Sequence, residues 1–374
     1  MTNNPLKKLG SLGQSVWLDY IRRDLITSGE LQRLIDEDGL RGMTSNPSIF
    51  EEAIAGSHEY DDDIRTMVQA GKSVTEIYEA LTQQDVKSAA DAFRALYEQS
   101  ERLDGYVSLE VNPHLAHDTD GTLAEARRLW AALDRPNVLI KVPATAAGLP
   151  VIKELITEGI NVNVTLLFGV SRYQQVVEAY VGGLQARTKQ NKPVASVSSV
   201  ASFFISRIDA LVDPMLEAKA ATNDEHSQTA RLMHGEIAIA SAKAAYKFYK
   251  DIYEINRLAE LAGIGARPQR LLWASTSTKN PAYSDVKYVE ALIGRHTVNT
   301  MPVETLNDYR NHGEPKERIE EDVSSALKLL EQLPELGISL ENVTQQLEDE
   351  GVEKFSKSFD KLMATLQKAV QDKT

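Results

Sequence analysis

One lysine and two carboxylates are the residues of this chain best placed to do chemistry. Lys141 lies in the run Asn-Val-Leu-Ile-Lys-Val-Pro, residues 137–143, surrounded by aliphatic side chains. Strand side chains alternate between faces, so Val138, Ile140 and Val142 share one side and Lys141 takes the other. An unpaired ammonium in such a run costs several kcal/mol, so the amine is paired, reaches water along its stem, or is used. An edge-strand or surface lysine is the plainer alternative on this strand alone. The sharper one is a nucleophile. A free lysine titrates near pH 10.4, which leaves about one molecule in a few thousand neutral at pH 7. Burial of such a group favours the neutral amine. With a carbonyl substrate the amine forms a Schiff base, whose protonated nitrogen draws electrons from a neighbouring C–C bond as it breaks. That route needs no metal and no cofactor. It does need a base for a substrate hydroxyl and an acid/base to dehydrate the carbinolamine. Asp19 and Glu110 are the carboxylates available for those two tasks.

The elements that hold these groups follow from hydrophobic period. Short strand patterns occupy 15–21, 42–47, 106–112, 138–142, 161–168, 194–204, 270–276 and 296–301. Helical spacing fills 27–38, 48 to about 102, 119–133, 148–158, 171–189 and 205 to about 262, the last with two or three helices. Eight strand–helix units predict an α/β fold, a (β/α)8 TIM barrel with additional helices. The charged stretch from about 314 to 374, broken at Pro334 and Gly337, predicts a helical C-terminal tail. One domain, 1–374, with 314–374 as its helical extension, is the expected organisation.

Alternation then sorts the polar residues. On the third strand Val107, Leu109 and Val111 share the helix-facing side, leaving Ser108, Glu110 and Asn112 inward. On the fifth, Val162, Val164 and Leu166 face the helices, and Asn161, Asn163 and Thr165 face in. Asp19 on the first strand opposes Val16, Leu18 and Tyr20. Thr44 and Asn46 share parity on the second, and Ser198, Ser202 and Phe204 on the sixth. Asp19, Asn46, Glu110, Lys141, Asn163 and Thr165 therefore converge on the C-terminal mouth, where barrel active sites lie. A structural ion-pair network explains one or two such residues, but six from five strands point to catalysis.

Composition removes other classes. The formal net charge of −13 opposes nucleic acid and anionic membranes. The absence of cysteine excludes disulfides, thiolate metal sites and thiol nucleophiles. No apolar core follows Lys7 and Lys8, so no signal peptide is expected, and no apolar run has transmembrane length. A cytoplasmic protein, monomer or homodimer, is the simplest account. Gly71-Lys72-Ser73 resembles the end of a P-loop, but Thr66 stands where its glycine belongs. His114 and His117 lack a third ligand and read as a solvated loop.

The segments 42–50 (Gly-Met-Thr-Ser-Asn-Pro-Ser-Ile-Phe) and 138–149 (Val-Leu-Ile-Lys-Val-Pro-Ala-Thr-Ala-Ala-Gly-Leu) resemble the two signatures of the transaldolase family. The similarity runs through every strand to 273–281 and into the tail, as in the family's longer bacterial branch. The resemblance implies that Lys141 is the Schiff-base lysine, and that Asp19 takes the hydroxyl proton during aldol cleavage. Glu110, through a water shared with Thr165, would move protons as the Schiff base forms and hydrolyses. Asn46, Thr44, Asn163, Ser202 and Phe204 would line the substrate, with Asn46 and Asn163 on its dihydroxyacetone part. Arg207 would hold the phosphate, joined by Ser275 and Lys279. Shorter members carry an arginine where this chain has Ser277, and Lys279 is the candidate to supply that charge instead. The implied reaction moves a dihydroxyacetone unit between sugar phosphates. Sedoheptulose 7-phosphate or fructose 6-phosphate gives it, and glyceraldehyde 3-phosphate or erythrose 4-phosphate accepts it, in the non-oxidative pentose phosphate pathway. Two rivals stand beside it. A fructose 6-phosphate aldolase shares the lysine but tends to carry glutamine and tyrosine at Glu110 and Phe204. A non-catalytic barrel that binds sugar phosphates has no need of Asp19, Glu110 and Lys141 together.

Overall fold

The computed structural model describes residues 4–222, 224–253 and 258–371. Eight parallel strands close into a barrel in chain order. They are β1 (Gln14–Asp19), β2 (Leu40–Thr44), β3 (Tyr106–Glu110), β4 (Val138–Pro143), β5 (Val162–Leu167), β6 (Ser199–Phe204), β7 (Arg270–Ala274) and β8 (Thr297–Met301). β1 closes the ring against β8, with Gln14 opposite Thr297 and Leu18 opposite Met301. The expected (β/α)8 barrel is therefore the observed fold. No helix among the described residues is long and apolar enough to cross a membrane.

Several boundaries differ from the sequence reading, each for a local reason. The sixth strand starts at Ser199 instead of 194, because Val194 and Val197 bury their side chains from a turn, closed by the Val197 amide on the Val194 carbonyl. Among the described residues, the stretch from 205 to 262 holds four helices, Ser206–Ala220, Ser227–Met233, Ile237–Tyr253 and Ala259–Gly263. One break falls at Gly235, whose φ of 77° suits a residue without a Cβ. Leu166 does not face the surrounding helices. The β5–β6 register slips between Val164 and Leu167, and Leu166 takes a φ of 53°. Such a bulge bends the strand and turns the side chain upward.

Inside the barrel, Gly42 leaves room for the Trp17 indole, since a Cβ there would lie 2.5 Å from Trp17 Cε2. Below, Arg270 donates to Asp104 at 3.0 Å and to the Ser15 hydroxyl at 2.9 Å, so its buried charge is paired.

The tail supplies the helices Val323–Gln332 and Leu340–Gln371. The second crosses the mouth of the barrel. Leu347, Gly351, Phe355, Leu362 and Leu366 are buried along one stripe, at the three- and four-residue steps of a helix face. Gly351 sits directly on Leu166, where a Cβ would come within 2.9 Å of Leu166 Cδ2. Polar contacts pin the helix around the rim: Glu348 with Arg172 at 3.3 Å, Ser358 with Ser48 at 2.7 Å, and Lys361 with Glu51 at 2.9 Å. His114, which read as part of a solvated loop, meets Asp360 at 2.7 Å and lies edge-on to Phe359. The tail is a roof.

Candidate active site

Lys141 is 4% exposed at the top of β4. Its Nζ donates to the Ser45 carbonyl at 2.9 Å and lies 3.3 Å from Glu110 Oε2. Glu110 stands opposite it in the β3–β4 register, so neighbouring strands set this pair. Both Glu110 oxygens and the Thr165 hydroxyl are buried, and none has an aligned hydrogen bond from the protein. The ammonium thus sits at ion-pair distance from Glu110 while leaving lone pairs there to serve a substrate or a water. Burial raises the Glu110 carboxyl above its usual range, against the pull of Lys141.

Asp19, at the end of β1, accepts a 2.6 Å bond from the Thr44 hydroxyl, which also meets Thr300 at 2.7 Å. Burial raises its carboxyl, while Lys141 and Thr44 oppose the rise. Asp19, Thr44, Asn46, Lys141, Thr165, Ser202, Phe204, Arg207, Ser275 and Lys279 line one cavity of about 150 Å³. Two of the expected residues sit outside that wall. Glu110 reaches it through Lys141. Asn163 lies fully buried beneath, donating to Ser108 at 3.0 Å and accepting from Ser202 at 2.6 Å, so it fixes the rotamer of a residue that does face the cavity. Asn46 also accepts from the Ile49 amide and caps the helix Pro47–Ala55. A larger cavity, about 310 Å³ around Tyr106, Arg267 and Arg270, opens among loops that precede the strands, far from the lysine.

The rim is basic in an acidic protein. Arg207 lies 5.8 Å from the centre of the Phe204 ring, and its charge is disfavoured by burial. Asp209, two residues further on, does not pair with it but accepts from the Ala238 amide at 2.7 Å and the Tyr288 hydroxyl at 2.9 Å. Lys279 donates to Ser277 at 2.7 Å, and burial and then Arg207 and Lys354 lower its pKa. Lys354, from the roof helix, is lowered chiefly by Arg207. These three cations repel one another, with Glu350 opposing at Arg207 and Asp19 and Glu304 at Lys279, and their mutual repulsion is the kind that an anion relieves. Ser275, beside them, holds a φ of 55° and meets Ser206 at 3.0 Å. A left-handed backbone on a non-glycine residue marks strain, and here it falls on the rim.

Sequence reasoning missed Thr300, Pro302, Lys354 and Phe355. Thr300 was open to the same alternation argument, applied to β8. Nothing in the sequence marks Phe355. It reaches the cavity because the roof helix docks, and its ring centre lies 5.9 Å from Lys141 Nζ.

The fold and this mouth define a class, barrel enzymes that carry a buried lysine among inward-facing carboxylates. The model of the transaldolase/fructose-6-phosphate aldolase family matches residues 16–366. A transaldolase of Trichodesmium erythraeum is 46% identical over the whole of both chains. A transaldolase 2 of a Nostoc species is 48% identical over 99% of each. A transaldolase of Thiobacillus denitrificans is 46% identical, covering 97% of this chain and 99% of its own. The chain belongs to this family and is a transferase of the transaldolase type.

Proposed function

We propose that the chain acts in the cytoplasm as a transaldolase on phosphorylated sugars, as one domain, 1–374, with 314–374 as its helical extension and the helix Leu340–Gln371 over the site. The observation that carries this reading is Lys141, buried 3.3 Å from Glu110 and sharing its cavity with Asp19. The neutral Lys141 amine attacks the ketose carbonyl at C2. Glu110, whose raised carboxyl holds a proton more readily than a solvated one, protonates the carbinolamine oxygen, and water leaves. The iminium then accepts the electrons of the C3–C4 bond. Asp19 takes the proton of the C4 hydroxyl, a task that its raised basicity favours. The aldose phosphate departs and a three-carbon enamine stays on Lys141. An acceptor aldehyde adds to the enamine carbon, Asp19 returns the proton to the new hydroxyl, and hydrolysis frees the product ketose. Ser202 and Asn46 are placed to hold the dihydroxyacetone hydroxyls, with Asn163 orienting Ser202. Arg207, Ser275 and Lys279 bind the phosphate, each contact to a charged group being worth about 1.5–3 kcal/mol.

Borohydride trapping with fructose 6-phosphate, followed by peptide mass spectrometry, tests the scheme. A reduced dihydroxyacetone adduct is expected on the Lys141 peptide and not in Lys141→Arg. Erythrose 4-phosphate added before the reductant is expected to discharge it, which separates transfer from simple cleavage. A folded protein that gives no adduct refutes the mechanism.

A further inference from the structure

Phe355 does not belong to the strand scaffold that holds Asp19, Glu110 and Lys141. It arrives on the roof helix, is 4% exposed, and forms part of the wall around Lys141. The lining is mixed: Asp19, Thr44, Asn46 and Ser202 are polar, while Phe204, Ala274 and Pro302 are its apolar members from the barrel, and Phe355 is the one whose ring lies over Lys141 Nζ. An apolar ring set over an amine among such groups removes water from one side of it. The placement is fixed from both directions along the helix. One turn before, Gly351 lies on Leu166 with no space for a Cβ, and one turn after, Ser358 is tied to Ser48 and Phe359 meets Tyr78 edge-on at 5.3 Å.

We infer that Phe355 is a specificity-determining residue, screening the lysine-bound three-carbon enamine from solvent so that it survives until an acceptor aldehyde arrives. This rests on the Schiff-base reading above. The wasteful branch starts when the enamine carbon takes a proton from water, giving the iminium of dihydroxyacetone. Hydroxide then adds at C2, the C–N bond breaks, and dihydroxyacetone leaves with Lys141 restored as the amine. One water is consumed and no acceptor is used. The productive branch places the acceptor's carbonyl carbon, in place of that proton, on the same enamine carbon. A wall that admits an aldehyde from the rim but keeps water off this face shifts the balance to transfer without altering cleavage of the donor.

The test compares full-length wild type, Phe355→Ala and Phe355→Leu, with fructose 6-phosphate as donor and erythrose 4-phosphate as acceptor. Free dihydroxyacetone and sedoheptulose 7-phosphate are quantified from the same reaction, and thermal unfolding is recorded for each protein. Phe355→Ala is expected to raise the ratio of dihydroxyacetone to sedoheptulose 7-phosphate about tenfold, with the borohydride adduct on Lys141 retained. Phe355→Leu keeps apolar bulk and so holds the roof even if the alanine variant unfolds. It is expected to raise the ratio about two- to threefold. A ratio unchanged in the folded variants, with the adduct still formed, overturns the inference and leaves the transaldolase reading standing. An adduct missing from wild type as well removes both.

Discussion

Asp209 offers a stability measurement with a sign that ordinary carboxylates do not give. It is buried on the helix Ser206–Ala220, just past Arg207, and its neighbours are the Ala238 amide, the Tyr288 hydroxyl, Asp213 and Lys287. Burial is the largest influence and, with Asp213 adding to it, pushes the carboxyl up to about 6 from 3.8. In the unfolded chain it returns to the ordinary value, so between these two pH values the folded state binds the proton more tightly. Stability from this group is fully present below the unfolded value and is lost as pH rises through about 6. The whole shift corresponds to about 3 kcal/mol, of which about 2 falls between pH 4.5 and 8. Asp209→Asn keeps an acceptor for Ala238 and an amide toward Tyr288, but cannot titrate. Urea unfolding of both proteins at pH 4.5 and 8 should show the variant gaining about 2 kcal/mol on wild type as pH rises. Parallel stability curves over that range would refute the reasoning, because they would mean that Asp209 ionises as easily inside the protein as outside it.

Other outcomes follow from single contacts. Arg207→Ala should lower kcat/KM for erythrose 4-phosphate about 10- to 100-fold, the worth of one charged hydrogen bond, and spare unphosphorylated erythrose. An equal loss with both acceptors would move Arg207 out of the phosphate site. Gly42→Ala should destabilise by about 1–3 kcal/mol in urea, because the added Cβ falls 2.5 Å from Trp17 Cε2. Alanine normally improves on glycine in a strand interior, so a stabilised variant would show that the indole does not fill that space.

The barrel and most of the site were legible because both rest on periodicity. Eight strand patterns fix the sheet, and the two-residue alternation tells Lys141 from Ile140 and Glu110 from Leu109 without any tertiary knowledge. Alternation failed at Leu166, where a bulge resets the faces and the strand points its leucine at the roof. It also could not separate Asn163, which backs Ser202 from beneath the cavity, from residues that face the cavity directly. Composition misled at Val194 and Val197, which are as apolar as any strand residue but bury themselves from a turn. Contributions from the tail were invisible for a different reason. Lys354 and Phe355 look like neighbouring positions of an ordinary amphipathic helix, and only docking across the mouth gives one a charge to repel and the other an amine to cover.

The roof also sets an order in time. A chain grows from its N-terminus at about 5–20 residues per second. When Met301 is added, every strand needed to close the ring is already on the chain, along with Asp19, Glu110 and Lys141. Phe355 lies 54 residues later, so for roughly 3–11 seconds of synthesis the reactive lysine exists without its cover. Any chain whose synthesis stalls between those points carries Asp19, Glu110 and Lys141 without Phe355. On the inference that Phe355 screens the enamine, a folded fragment of this kind is expected to release dihydroxyacetone in place of passing it on, and the last helix is the part of the chain that prevents it.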